Sequence, residues 1–131
     1  VVYLDFDGEV VTSSYWDNGN TINAAKSQSS AAGIQLIYQM ISEDYAPFNV
    51  NITTNRAIYE ATPAGRRQMT IFTPTNYFWT NAGGVAYVNG FSYTNDLPCW
   101  VFNYKSIIWN RTAYPALNYL FNIHMDISCT I

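Results

Sequence analysis

The chain has 131 residues, of which 49% are apolar, 17% aromatic and only 11% charged, with a formal net charge of −3. That length and apolar content suffice for one domain with a sizeable core, and they exclude a long disordered region. Six basic residues, with Arg66-Arg67 the one adjacent pair, leave no electrostatic footprint for a nucleic-acid binder, and the longest apolar runs are far too short to span a membrane.

The chain opens at Val1 without an initiator methionine, as a processed or internal start would. Val1 to Phe6 is an apolar run rich in aromatic and β-branched residues that ends in Asp7-Gly8, which predicts a strand entering a turn. Val10 and Val11 continue it as a hairpin or bulge. Residues 12 to 28 are rich in Ser, Asn and Gly, and Asp17-Asn18-Gly19-Asn20 is a turn signal. This stretch reads as a surface loop anchored by Trp16.

Ser29 or Ser30 is the N-cap of a long helix. Ile34, Ile37, Tyr38, Ile41 and Tyr45 then fall on one face at helical spacing, and Pro47 ends the helix. Phe48, Val50 and Ile52 alternate with Asn49, Asn51 and Thr53, the pattern of a half-buried strand. Ala57 to Gly65 is a short helix or loop. Met69 to Thr73 is a strand stopped by Pro74, and Asn76 to Ala82 an aromatic loop.

Gly83 to Val88 is a further strand, its glycines permitting close backbone approach. Gly90 to Pro98 is a loop and Cys99 to Phe102 a strand. From Tyr114, residues Leu117, Leu120, Phe121 and His124 are spaced as a helix face, with Pro115 in its first turn. The order is strand, helix, four strands, helix, with no repeat and no linker. It predicts a single α/β (α+β) domain over residues 1–131: a twisted mixed five-stranded sheet, a long packed helix and a C-terminal helix.

Four stretches in this order resemble secreted bacterial zinc peptidases of the metzincin type, reprolysin-like. They are Tyr3-Leu4-Asp5-Phe6-Asp7-Gly8, the segment from Glu43 to Thr54, Gly83-Gly84-Val85-Ala86-Tyr87-Val88, and Pro98-Cys99-Trp100-Val101-Phe102. The resemblance covers residues 3 to 102 and implies the N-terminal part of a catalytic domain, without its C-terminal subdomain. It also implies secretion, peptide-bond hydrolysis and a zinc cofactor.

In that family an edge strand binds extended substrate antiparallel to itself. Carried over, Gly83, Gly84, Val85, Ala86 and Tyr87 contact an extended peptide or a strand of a neighbouring protein, including a second copy of this chain. In an exported protein Cys99 and Cys129 would pair, closing a loop of roughly 30 residues worth ~3–4 kcal/mol; the alternative is two buried thiols.

The resemblance breaks after Phe102. The family's next helix carries His-Glu-x-x-His, whose histidines bind zinc and whose glutamate activates water. Here that place reads Phe121-Asn122-Ile123-His124-Met125-Asp126. His124 is a candidate metal ligand, but no register gives two imidazoles one turn apart or a carboxylate placed as a base, so no catalytic residue is assigned. Three accounts fit: a diverged non-catalytic descendant, a piece of a longer enzyme, or a misread tail. They leave two functions: a metzincin-like zinc peptidase, or a non-catalytic extracellular binding or assembly module on the same scaffold.

Asp5-Phe6-Asp7-Gly8-Glu9-Val10-Val11 also resembles the first motif of haloacid-dehalogenase-type phosphatases, where the first Asp is the nucleophile and the second an acid/base beside Mg²⁺. Thr73 could supply that family's threonine, but no late acidic pair completes the metal site. The simpler reading is that Asp5 and Asp7 end a strand, one carboxylate capping a turn and the other in solvent. Asn51-Ile52-Thr53 and Asn110-Arg111-Thr112 match the glycosylation acceptor pattern. Tyr77, Phe78, Trp79, Tyr87, Phe91 and Tyr93 could line a peptide or sugar cleft, or serve as packing and loop anchors.

Overall fold

The computed structural model describes residues 1–88, 90 and 94–103. The predicted C-terminal helix, His124 and Cys129 lie outside the described residues, as do Phe91 and Tyr93. The elements are β1 (Val2–Asp5), β2 (Glu9–Thr12), β3 (Thr21–Ala24), α1 (Ala31–Asp44), β4 (Ile52–Thr53), α2 (Arg56–Ala61), β5 (Gln68–Thr73), β6 (Gly84–Val85) and β7 (Cys99–Phe102). Five strands form one mixed sheet in the order β4-β1-β5-β7-β6, and β2 and β3 form a separate antiparallel ribbon. The fold is α+β. No helix among the described residues is long and apolar enough to cross a membrane.

In the main sheet β4, β1, β5 and β7 run parallel, and β6 alone is antiparallel to its neighbour. Every residue of the three central strands β1, β5 and β7 is buried. Strands covered on both faces lose the strict alternation of a half-buried strand, as in β1 and β7, whereas β5 also buries the polar Gln68, Thr70 and Thr73.

On one face Val2, Leu4, Phe72, Cys99 and Val101 pack against Ile37, Ile41 and Tyr45 of the α1 segment. Ser30 caps α1 by accepting a 3.1 Å bond from the Gly33 N–H. On the other face Tyr3, Met69, Ile71, Trp100 and Phe102 pack against Trp16, Ile22 and Ala24 from the ribbon and its turn, and Tyr59 from α2. The ribbon thus serves as a second layer.

Three predicted elements differ from the observed ones. The stretch from 12 to 28 contains β3, whose Ile22 and Ala24 are buried between exposed Thr21 and Asn23. Two inward residues among many polar ones are too few to show a period-two pattern, but pairing with β2 at Val11↔Ile22 supplies the missing half of the ladder. Asp17, Asn18 and Gly19, at φ 47°, 54° and 86°, make the predicted turn. The strand expected from Phe48 shrinks to Ile52–Thr53, because Phe48 N–H donates to Tyr45 O and Val50 N–H to Phe48 O in successive turns. The strand expected over Gly83 to Val88 is Gly84–Val85, and a turn follows in which Gly90 N–H donates to Tyr87 O.

Arg67 ties the α2 side of the sheet together. Its Nε donates to Asp96 Oδ1 at 2.8 Å and a second guanidinium nitrogen bonds Oδ2. The remaining terminal nitrogen donates to the carbonyls of Tyr59, Glu60 and Thr62 at the end of α2, and the guanidinium lies 4.5 Å from the centre of the Tyr59 ring. This satisfies helix-terminal carbonyls and places a cation at the negative end of the helix. Arg67→Ala is expected to lower stability by about 2–3 kcal/mol, seen as an earlier urea midpoint. Arg67→Lys should recover less than half of that, since an ammonium cannot span both carboxylate oxygens.

Candidate functional site

Strand β6 lies at the end of the main sheet, with β7 as its sole neighbour among the described residues. Phe102 N–H donates to Gly83 O at 2.8 Å, and the cross-strand partners are Gly84↔Val101 and Val85↔Trp100. Opposed residues of an antiparallel pair alternate between those that exchange hydrogen bonds and those whose polar groups turn outward. Gly83 and Phe102 are a bonding pair, so Gly84 presents its N–H and C=O to the side on which no described strand pairs with β6. Val85 bonds inward, towards Trp100.

The five residues carried over from the resemblance therefore have different roles. Gly83 and Val85 hold β6 to the sheet, and Gly84 offers the outward donor and acceptor. Ala86 packs against the α1-side core and Val85 against the opposite one. Tyr87 lies beyond the ladder, half-exposed.

The aromatic residues divide in the same way. Phe78 belongs to the core, 4.9 Å from the Trp100 ring and 5.7 Å from Phe102. Trp16 is buried at the centre of a cluster, 4.9 Å from Tyr87 and 6.1 Å from both Trp79 and Trp100. Tyr15 stands edge-on to Tyr87 at 5.5 Å, and the Tyr87 hydroxyl donates to the Tyr15 carbonyl at 3.0 Å. The sequence placed Trp16 as an anchor but gave no role to Tyr15. Its signal was the Tyr15-Trp16 pair within an otherwise polar stretch.

Asp5 and Asp7 follow the simpler of their two readings. Asp5 Oδ1 accepts from the Asp7 N–H at 2.9 Å, closing the turn, and Asp7 is exposed. Asp5 itself is fully buried, and its Oδ2 has no partner among the described residues. The Thr73 hydroxyl donates to Ala25 O at 2.7 Å and accepts from Thr75 N–H, so it is occupied in holding the chain after β3 against the sheet. A buried carboxylate capping a turn is not presented as a nucleophile.

Burial pushes the Asp5 carboxyl above its ordinary 3.8; the Asp7 N–H opposes this, Glu9 adds to it and Arg56 opposes it. A carboxyl raised in the folded state opposes folding once ionised. The penalty grows as pH climbs from the ordinary value through the folded one, and persists above. Urea titration of Asp5→Asn and the parent should show the difference moving in favour of the variant between pH 4 and pH 7. A difference independent of pH would contradict a raised Asp5 carboxyl.

Cys99 is buried, and burial alone would drive its thiol up to about 12. Its expected partner Cys129 is outside the described residues. Among the described residues no three His, Cys, Asp or Glu side chains are placed to hold a metal ion. The one histidine of the sequence, His124, lies outside the described residues. No family model matches the chain, and no curated protein or solved structure is found similar to it.

Proposed function

We propose that this chain is a metzincin-like domain, acting outside the cell, that captures an extended polypeptide along β6. The observation that carries this reading is the outward N–H and C=O of Gly84 on an antiparallel edge strand, immediately before β7. The resemblance puts the family's substrate strand at that place. An extended peptide laid antiparallel to β6 would exchange both hydrogen bonds with Gly84, and no charge or proline between Gly83 and Val88 obstructs it.

Gly84→Pro removes the outward donor and leaves the inward bonds of Gly83 and Val85 in place. Edge strands tolerate proline on their free side, so the fold is expected to persist. Binding of a terminally blocked extended peptide, read by fluorescence anisotropy, should weaken at least tenfold. Unchanged binding in a folded Gly84→Pro protein would remove the basis of the proposal. Concentration-dependent sedimentation that disappears in the same variant would identify the captured strand as a second copy of the chain.

Zinc peptidase activity is the fuller function that the resemblance implies, and its chemistry would be metal-assisted attack of water on a peptide bond. The sequence given carries no His-Glu-x-x-His motif, and this is the ground for the non-catalytic binding module as the second reading. Metal analysis of native material separates the two. Stoichiometric zinc with chelator-sensitive proteolysis establishes the peptidase; metal-free protein that binds peptide without cleaving it establishes the module.

A further inference from the structure

We infer that the half-exposed rings of Tyr15, Trp79 and Tyr87 form a wall beside β6 that reads the captured peptide, selecting segments that present an aromatic side chain on the ribbon-facing side of the added strand. The inference rests on the edge-capture reading and adds to it a class of ligand.

Its basis is which face the rings occupy. Trp100 is the cross-strand partner of Val85, and both belong to the core on the ribbon side. Trp16 belongs to that same core, meeting Trp100 edge-to-face, and Tyr87 and Trp79 pack against it in turn. Tyr15, Trp79 and Tyr87 are 45%, 45% and 40% exposed around a Trp16 that is 1% exposed. They are partly open faces fixed on a rigid base. The bond from the Tyr87 hydroxyl to the Tyr15 carbonyl fixes the orientation of the Tyr87 ring, two residues past β6.

Side chains of a strand added to β6 alternate between the two faces. A residue bonded to Gly84 points to the α1 side, where Gly84 has no side chain to meet it. Its neighbours on either side point to the ribbon side, next to Val85 and the rings. Selection therefore falls on alternate ligand residues, those flanking the one bonded to Gly84. The wall itself contains no charged residue. Flat apolar side chains gain most from such a surface, by ring–ring contact as well as burial.

The full chain would be titrated with blocked nonapeptides of alternating threonine and serine whose central residue is alanine, lysine or phenylalanine. The phenylalanine peptide should bind about tenfold tighter than the alanine one, with lysine close to alanine. In Tyr87→Ala the phenylalanine-to-alanine ratio should fall to about two or less. Tyr87→Phe, which keeps the ring and loses the tether, should give an intermediate ratio. Trp79→Ala provides a second variant, and circular dichroism checks that each remains folded. Equal affinities for the phenylalanine and alanine peptides overturn the inference, as does a preference for lysine or one that survives both alanine variants. If peptide binding is lost in Gly84→Pro while no aromatic preference exists, the wall falls and edge capture stands. If none of the three peptides binds, both fall.

Discussion

Trp16→Ala is expected to lower the free energy of unfolding by about 3–5 kcal/mol, the cost of emptying the space of a large buried aromatic side chain. Trp16 is 1% exposed and touches Trp79, Tyr87 and Trp100, which come from three separate parts of the chain. Removing it opens a cavity above β7 and detaches the ribbon turn from the 76–82 loop. The indole N–H has no partner among the described residues, so shape rather than hydrogen bonding sets the cost. Trp16→Phe should accordingly cost about 1–2 kcal/mol, a partial volume loss. Urea unfolding followed by far-UV circular dichroism measures both. A loss below about 1 kcal/mol for Trp16→Ala would mean that the loop layer is not anchored as described.

Gly8→Ala should be about as damaging as a core truncation, at roughly 3 kcal/mol, although it adds only a methyl group. Gly8 has φ +92°, and a Cβ there would sit 2.8 Å from the Ala24 carbonyl oxygen and 3.0 Å from the Lys26 nitrogen. Both are backbone atoms, so no rotamer change relieves the contact. The neighbouring 25–29 segment would have to move, and it is held in place by hydrogen bonds on several sides. Ser27 N–H donates to Phe6 O, the Thr73 hydroxyl donates to Ala25 O, and the Asn103 amide donates to the Ser27 and Ser29 hydroxyls. Gly8→Ala should therefore lower the unfolding midpoint and also loosen the link between the ribbon and the carboxyl ends of β1, β5 and β7. Hydrogen exchange at Ser27 reads the second effect. Normal stability in Gly8→Ala would show that the turn has freedom to shift.

Proposals about the site and about stability meet at Tyr87. Its ring leans on Trp16, and its hydroxyl bonds the Tyr15 carbonyl, so the base of the aromatic wall and the anchor of the loop layer are one structure. Trp16→Ala should disturb peptide selection as well as stability, whereas Arg67→Ala, on the α2 side of the sheet, should disturb stability alone.

Local patterns in the sequence determined the parts governed by neighbours along the chain. The short strand runs of β1, β5 and β7, the helical spacing from Ile34 to Ile41, the Ser30 cap and the Asp17-Asn18-Gly19 turn are each set within a few residues. The mixed α+β class and five-stranded sheet followed from their order. Tertiary structure alone decided what depends on distant partners. β3 exists because Ile22 meets Val11 and the sheet beneath, and the Phe48 end of the expected β4 is lost to turns around Tyr45. The same holds for the edge. The sequence marked Gly83 to Tyr87 as one contact strand, but which backbone groups face outward is fixed by the register with β7, and that register assigns the open donor and acceptor to Gly84. Side-chain periodicity records which residues face a core, because burial selects residue type; it carries no record of which side of a strand is left unpaired, because every non-proline backbone offers the same two polar groups.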